Sequence, residues 1–360
     1  MLLLSLEIDN FRNLQRLALP CSPGLNLITG PNASGKTSLL EALYFLGRAR
    51  SFRTRQVREL IRHGESAFRL VAALGEGPDS RRVLVGIQRS IQELTIRIDG
   101  EAADSLAQLV RQAPVLLLTA NSHRLLEEGP RQRRRFLDWG LFHTEAAFWP
   151  AWKRYAAALR NRNAALRAHS PDRVLVAWEQ ELAAAAQPLN QLREAFCKAL
   201  ESVLSGLIGE TLGEVAPRLD YRPGWPQEAE LLAALRQRRE QDRRLGYTQW
   251  GPHRADFLIR LADRPVAEAL SRGQQKVLII ALILAQARLY RARRDSACIL
   301  LIDDLPAELD SLHRERVLRC LAGSTMQLFV TAIEPAALDS TLWPEARIVA
   351  LDRGAIGEIG

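Results

Sequence analysis

"LNLITGPNASGKTSLLEALYFLG", residues 25–47, decides the fold. The five residues "LNLIT" read as a short buried strand, because a brief apolar run stopped by a glycine turn suits a sheet core. "GPNASGKT", residues 30–37, fits G-x-x-x-x-G-K-[ST], and the apolar spacing beyond it predicts a helix over 37–46. Strand, glycine-rich loop and helix start together make a phosphate cradle. Gly30, Pro31, Asn32, Ala33, Ser34 and Gly35 bend so that successive N–H groups converge on phosphate oxygens. Lys36 adds a point charge for the β- and γ-phosphates, and the Thr37 hydroxyl is suited to ligate Mg2+. The site therefore reads as one for ATP and Mg2+.

Two further stretches complete that chemistry. "ILLIDDLPAELD", residues 299–310, is four apolar residues ending in two acids. A buried strand there delivers Asp303 and Asp304 to a sheet edge, where Asp303 holds Mg2+ through water and Asp304 orients or deprotonates the attacking water. "LSRGQQKV", residues 270–277, puts Ser271, Arg272, Gly273 and Gln274 just before a long apolar helical pattern. Backbone N–H groups and a hydroxyl at a helix start attract an anion. Lys36 already serves the phosphates in its own lobe, so this second anion site is expected to meet the γ-phosphate bound to another copy of the chain. An N-capped core helix without a ligand is the competing reading.

The bulk properties agree with an acidic partner. The chain has 360 residues, 47% of them hydrophobic, and a formal charge of +8. That is enough for two domains, and the surplus suits nucleic acid or anionic lipid without specifying either. Four scattered cysteines, with no C-x-x-C pair, read as reduced structural thiols. The N-terminal "MLLLSLEIDNF" is too short for a signal peptide and reads as a strand. "VLIIALILA", residues 277–285, is bracketed by Lys276 and Arg288 and reads as a buried helix rather than a membrane crossing.

Along the chain, strands are expected at 2–8, 25–29, 68–73, 83–88, 94–98, 257–261, 298–302, 328–331 and 348–351. Between them, from about 149 to 207, the composition turns rich in Ala, Leu, Arg and Gln. Leu182, Ala185, Leu189, Leu192, Phe196, Ala199 and Val203 alternate steps of three and four, which suits a short antiparallel coiled coil. Pro188 inside it should start or kink a helix. A second charged helical stretch is expected over 231–245, with "YRPGWPQ" connecting. The domain expectation is a head from 1–140 and 247–360 with an inserted helical arm at 141–246.

These motifs, in this order, resemble an ATP-binding-cassette (ABC) ATPase head of the SMC/Rad50-like branch. Within it the stretches "IDNFRNL", "LYFLGRARSFRT", "GPRQRRRFLDWGLFH", "RNAALR", "GPHRAD" and "LSRGQQK" are similar to the RecF family of bacterial recombination mediators. The resemblance implies an α/β fold: an ABC-type P-loop ATPase head with an inserted helical arm. It implies that Arg12 and Asn13 touch the nucleotide, that Ser271, Arg272, Gly273 and Gln274 form the signature that crosses an ATP-dependent homodimer, and that Asp310 lies in the loop at that interface. It implies a weak, DNA-stimulated ATPase acting as a switch. Its setting would be the cytoplasm and nucleoid, on single-stranded and duplex DNA at gap junctions. RecR and RecO would be its partners, and RecA loading and the SOS response would follow.

Some positions depart from the pattern. Asp304 stands where many cassette ATPases carry glutamate, and a shorter acid predicts looser water geometry and slow turnover. Thr331 and Ala332 occupy the place of a γ-phosphate histidine, and Ala120-Asn121 replaces a Pro-Glu pair. Arginine clusters occur over 48–62, 131–135 and 236–244. The first of these, with Arg48, Arg50, Arg53, Arg55 and Arg58, is the best candidate for sequence-independent phosphate contacts; a solvated face is the alternative for each cluster. An SMC-like clamp is disfavoured by the short arm, and a transporter-type ATPase subunit by the arginine-rich surface.

Overall fold

The computed structural model describes residues 1–77, 81–211, 217–261, 264–304, 311–338 and 340–357. The chain packs as two units, Met1–Ser122 with Tyr290–Gly360, and His123–Leu289.

The first unit holds two sheets. In the antiparallel one the spatial order is Leu14–Pro20, Leu2–Phe11, Ala67–Gly75, Val83–Ser90, Leu94–Ile98 and Glu101–Ala102. These strands alternate apolar and polar residues and join through short turns, so each pairs with a sequence neighbour or near neighbour. The second sheet runs Ala355–Ile356, Arg347–Asp352, Leu25–Thr29, Gln327–Thr331, Ile299–Ile302 and Val115–Leu118. Its central strands are parallel and almost wholly apolar, as a sheet buried on both faces requires. The strands Leu14–Pro20, Glu101–Ala102, Val115–Leu118 and Ala355–Ile356 are not among those expected from the sequence; the others in these two sheets fall within two residues of their expected bounds, apart from Leu2–Phe11, which extends three residues further.

The helix Lys36–Arg48 lies in the core between these strands, with ten of its thirteen residues buried. Phe45 and Phe11 both meet Phe68 edge-on, at ring separations of 5.1 and 4.9 Å. The two sheets are also tied by Gln327, whose buried amide donates to the carbonyls of Leu3 and Ser22 at 2.7 and 2.8 Å and accepts the Leu3 N–H at 2.8 Å.

The second unit is built on the helices Pro130–Thr144, Phe148–Arg167, Asp172–Thr211 and Leu231–Leu245, with a three-stranded sheet of Arg264–Pro265, Asp256–Leu261 and Arg218–Arg222. It is wider than the arm expected at 141–246: residues 123–140 and 247–289 pack with the helices rather than with the first unit. Arginine contacts explain part of this. Arg133 grips Asp256 with two bonds of 2.7 and 2.9 Å, Arg134 donates to the Ala255 carbonyl at 2.7 Å, and Arg193 donates to the Pro252 carbonyl at 2.6 Å.

Two expectations for the long helix are corrected. Pro188 does not start a helix, since the helix Asp172–Thr211 runs through it. Ala184, whose carbonyl loses its partner there, is exposed, so water can take over the bond. The apolar stripe also slides: Leu182, Ala185, Leu189 and Phe196 are buried, but Leu192, Ala199 and Val203 are only half-buried. Arg193, Leu200, Leu204 and Leu207 take the inner face instead. A strict seven-residue repeat drifts around a helix of 3.6 residues per turn. Arg193 can enter because Asp138 meets its guanidinium at 2.8 Å. Deeper still, the fully buried Arg162 binds Asp242 at 2.7 Å, Thr248 at 2.8 Å and Glu179 at 3.2 Å, joining three helices.

Residues 277–285 lie inside the helix Arg272–Arg294 and are buried. Among the described residues, no helix is long and apolar enough to cross a membrane.

Candidate functional site

Parallel strands point their carboxyl ends to one edge of a sheet, and that edge is where such folds bind ligands. Here it gathers the loop after Thr29, the pair Asp303 and Asp304 after Ile302, and Thr331 at the end of the strand between them. The residues converge because Leu25–Thr29 and Ile299–Ile302 both flank Gln327–Thr331 in register. A cleft of about 560 Å³ opens there, lined by the loop with Arg12, Asn13, Arg53, Asp303, Asp304 and Thr331.

The loop's curl depends on two glycines. At Gly30, with φ of 141°, a Cβ would fall 2.2 Å from the Leu351 carbonyl oxygen; at Gly35, with φ of 113°, it would meet Leu14 at 2.9 Å. Lys36 Nζ lies within the curl, donating to the carbonyls of Gly30 and Pro31 at 2.7 and 2.9 Å. Ser34 Oγ is buried with no hydrogen-bond partner among the described residues. The Thr37 hydroxyl faces both Asp303 carboxylate oxygens, at 3.2 and 3.4 Å. A loop no side chain can fill, an unpartnered inward hydroxyl and a hydroxyl beside a carboxylate fit a triphosphate with a hard divalent cation.

The cleft also holds features the sequence did not disclose. The Thr331 hydroxyl donates to Asp303 at 2.9 Å and accepts the Asp304 N–H at 2.9 Å. Asp304 is held in a left-handed conformation, φ 59°, which is strained for a residue with a side chain. Arg12, also left-handed at φ 53°, forms a two-pronged ion pair with Glu41, a carboxylate with no exposed surface. Asn13 reaches the loop at the Ala33 carbonyl, 3.5 Å away. Only tertiary contact marks Glu41, in sequence a lone acid on an apolar helix; Thr331 stood out in sequence only as replacing a γ-phosphate histidine, and its bridge between Asp303 and Asp304 comes from the fold.

Ser271, Arg272, Gly273 and Gln274 lie in the second unit. Ser271 and Gln274 cap the helix start reciprocally, Ser271 N–H donating to Gln274 Oε1 at 2.9 Å and Gln274 N–H to Ser271 Oγ at 3.3 Å. Ser271 and Arg272 are exposed. Asp310 falls outside the described residues.

The basic stretch divides. Arg50, Arg53, Arg55 and Arg58 are exposed. Arg48 is a correction: its guanidinium donates to the Val115 carbonyl at 3.3 Å and packs on the Tyr44 ring, and burial pulls its pKa down to about 10. It is a structural group, not part of a free basic face. Arg53 lines the cleft, 3.7 Å from Glu41. Of the other clusters, Arg133 and Arg134 are spent inside the second unit, as are Arg239 and Arg243 in pairs with Glu179 and Asp172.

In the "GPHRAD" stretch Arg254 is exposed, while His253 is held inside the second unit. His253 Nδ1 sits 2.6 Å from the Tyr155 hydroxyl and Nε2 2.9 Å from the Thr248 carbonyl. Burial lowers its pKa to about 4 and raises that of Tyr155.

Comparison with known proteins agrees with this geometry. The RecF/RecN/SMC N terminal domain model matches residues 2–348. The chain is 39% identical over 353 residues to the DNA replication and repair protein RecF of Shewanella denitrificans, covering 98% of each, and 39% identical over 359 residues to that of Shewanella oneidensis, covering 99% of each. Among solved structures, the recombination mediator protein RecF with ATP superposes with a TM-score of 0.87 at 23% identity, over 100% of this chain and 98% of that one. An Smc head bound to the C-winged helix domain of ScpA superposes with a TM-score of 0.62 at 15% identity, over 100% and 97%. These two share the fold, an α/β ABC-type ATPase head. From near-complete coverage at this identity, the chain belongs to the RecF family, within the wider group of RecF, RecN and SMC N-terminal domains.

Proposed function

We propose that the chain is an ATP-gated DNA-binding protein of recombinational repair and replication, working as a slow ATPase switch. The observation that carries the reading is the Thr37 hydroxyl set against the Asp303 carboxylate at 3.2 and 3.4 Å, at the mouth of a glycine loop. That pair is the donor set a Mg2+ ion accompanying ATP would use.

Bound Mg·ATP would supply a phosphoanhydride bond whose hydrolysis resets the switch. Residues 30–35 grip the phosphates through backbone N–H groups, and Lys36 leaves its two carbonyl partners to meet the terminal phosphates. Arg12 and Asn13 close one side of the cleft. Asp303 and Thr37 hold the cation, and Asp304 orients the attacking water. Ser271, Arg272, Gly273 and Gln274, with Asp310, serve the site of a second copy, so nucleotide acts as glue in a homodimer. Arg50, Arg53, Arg55 and Arg58 then offer phosphate contacts to single-stranded or duplex DNA, including gap junctions. RecR and RecO are the proposed partners, RecA loading and the SOS response the proposed consequences, and the nucleoid the proposed place. The relatives' names, DNA replication and repair protein and recombination mediator, support this setting.

The test is light scattering of the chain and of Lys36→Ala with ATP, ADP or no nucleotide, with and without gapped DNA. The expected result is dimer and DNA retention only for the unaltered chain with ATP. Equal dimerisation and DNA retention by Lys36→Ala would refute the reading.

A further inference from the structure

Three cleft and loop elements converge on one buried carboxylate. Glu41 has no exposed surface and stands one helical turn beyond Thr37 on Lys36–Arg48, so both lie on one face of that helix. On one side it holds Arg12 through two bonds, one of them 2.8 Å long. On the other it accepts the Ser51 hydroxyl and draws Arg53 to 3.7 Å. Ser51 Oγ in turn accepts the backbone N–H groups of Arg53 and Thr54 at 2.8 and 2.9 Å, which folds the loop that carries Arg50, Arg53, Arg55 and Arg58. A buried acid needs such partners, because an ion removed from water without them is very costly.

We propose that Glu41 is a positioning residue that couples the nucleotide cleft to the basic loop over 50–58, a reading that rests on the nucleotide and DNA binding proposed above. Phosphates in the cleft draw on Arg12, and nucleic acid on the loop draws on Arg53 and the rest of the segment that Ser51 anchors. Both pulls act on the same carboxylate. Each ligand therefore changes the affinity of the other by the same factor. Glu41 touches neither ligand itself. Glu41→Gln keeps its size but turns an amide donor toward guanidinium groups.

The test is equilibrium titration of a fluorescent ATP analogue into the unaltered chain, Glu41→Gln, Glu41→Asp, Ser51→Ala, Arg12→Gln and the Arg12→Gln/Glu41→Gln double variant, with and without a duplex oligonucleotide. For Glu41→Gln we expect affinity to fall about tenfold, the loss of one charge-assisted hydrogen bond. We also expect the dependence on duplex to vanish, with partial recovery of both in Glu41→Asp. Ser51→Ala leaves the Arg12 pair in place and covers the case in which Glu41→Gln does not fold. It should keep its nucleotide affinity without duplex and lose most of the duplex effect. The Arg12 and Glu41 substitutions should be strongly non-additive. Additive effects, a duplex response in Ser51→Ala equal to that of the unaltered chain, or no duplex response in an unaltered chain that light scattering shows to hold the duplex would each overturn the proposal. Failure of the unaltered chain to bind nucleotide or duplex at all would instead remove the function on which it rests.

Discussion

Thr331→Val removes one oxygen and little else, which makes it the sharpest probe of the cleft. The side chain is 1% exposed and its shape is nearly kept, so packing changes little. What is lost is a donor to Asp303 and an acceptor for the Asp304 N–H, each 2.9 Å away. A hydrogen bond to a charged group contributes about 1.5–3 kcal/mol and a neutral one about 1 kcal/mol. Asp304 also sits at φ 59°, a conformation that costs of order 1 kcal/mol and persists only when held. Released, it relaxes and carries its carboxylate away from the water it is proposed to orient. A misplacement worth about 1.4–3 kcal/mol in the transition state lowers turnover roughly ten- to hundredfold. Single-turnover hydrolysis with radiolabelled ATP, beside nucleotide affinity, separates the two effects. Turnover should fall while affinity stays within about threefold, since the glycine loop is untouched. Thr331→Ser, which keeps the hydroxyl, should recover most of the rate. Unchanged turnover in Thr331→Val would refute the argument that this hydroxyl sets the aspartate geometry.

Other outcomes follow from the same contacts. Gly30→Ala drives a Cβ to 2.2 Å from the Leu351 carbonyl oxygen, so it should abolish nucleotide binding and lower the thermal midpoint by at least several degrees, seen by calorimetry. His253, with its pKa depressed to about 4 by burial, is held neutral in the folded chain. The unfolded chain then binds the extra proton between pH 6.5 and 4, so the contribution to stability is full above about 6.5 and is lost as pH falls toward 4. Urea midpoints at pH 7 and 5 should differ more for the unaltered chain than for His253→Gln, by of order 2 kcal/mol. Alanine at Arg50, Arg55 and Arg58 together should flatten the salt dependence of DNA binding by about three in log–log slope, whereas Arg48→Ala should destabilise the fold and leave that slope alone.

What could be read in advance was local. Residues 30–37 announce a phosphate loop because strand, glycines, lysine and helix follow one another directly. Asp303 and Asp304 stand out because four apolar residues end on two acids. Long-range pairing hid the rest. Nothing near Thr331 in sequence says that its strand lies between those of the glycine loop and the aspartates, which alone lets its hydroxyl bridge Asp303 and Asp304. Glu41 looks like a lone acid on an apolar helix until Arg12, from a turn 29 residues away, closes over it. Arg48 and Arg133 count as surface charge by composition, yet their guanidiniums meet carbonyls and a carboxylate inside. On the long helix the stripe was legible up to Leu189; at the next step Arg193, paired with Asp138, takes the inner place that periodicity gave to Leu192, and past Phe196 the inner face moves on to Leu200, Leu204 and Leu207.

The glycine-loop strand has a bearing on biosynthesis. Its partners on both sides, Gln327–Thr331 and Arg347–Asp352, leave the ribosome some 300 residues after it does. The antiparallel strands before residue 103 can pair as they emerge, and His123–Leu289 is one continuous segment able to collapse during translation. The parallel sheet has to wait, since contacts so distant along the chain form slowly and late. A nascent or prematurely terminated polypeptide would carry the complete phosphate-loop motif but no sheet to hold it, and would therefore be unable to compete with finished molecules for nucleotide.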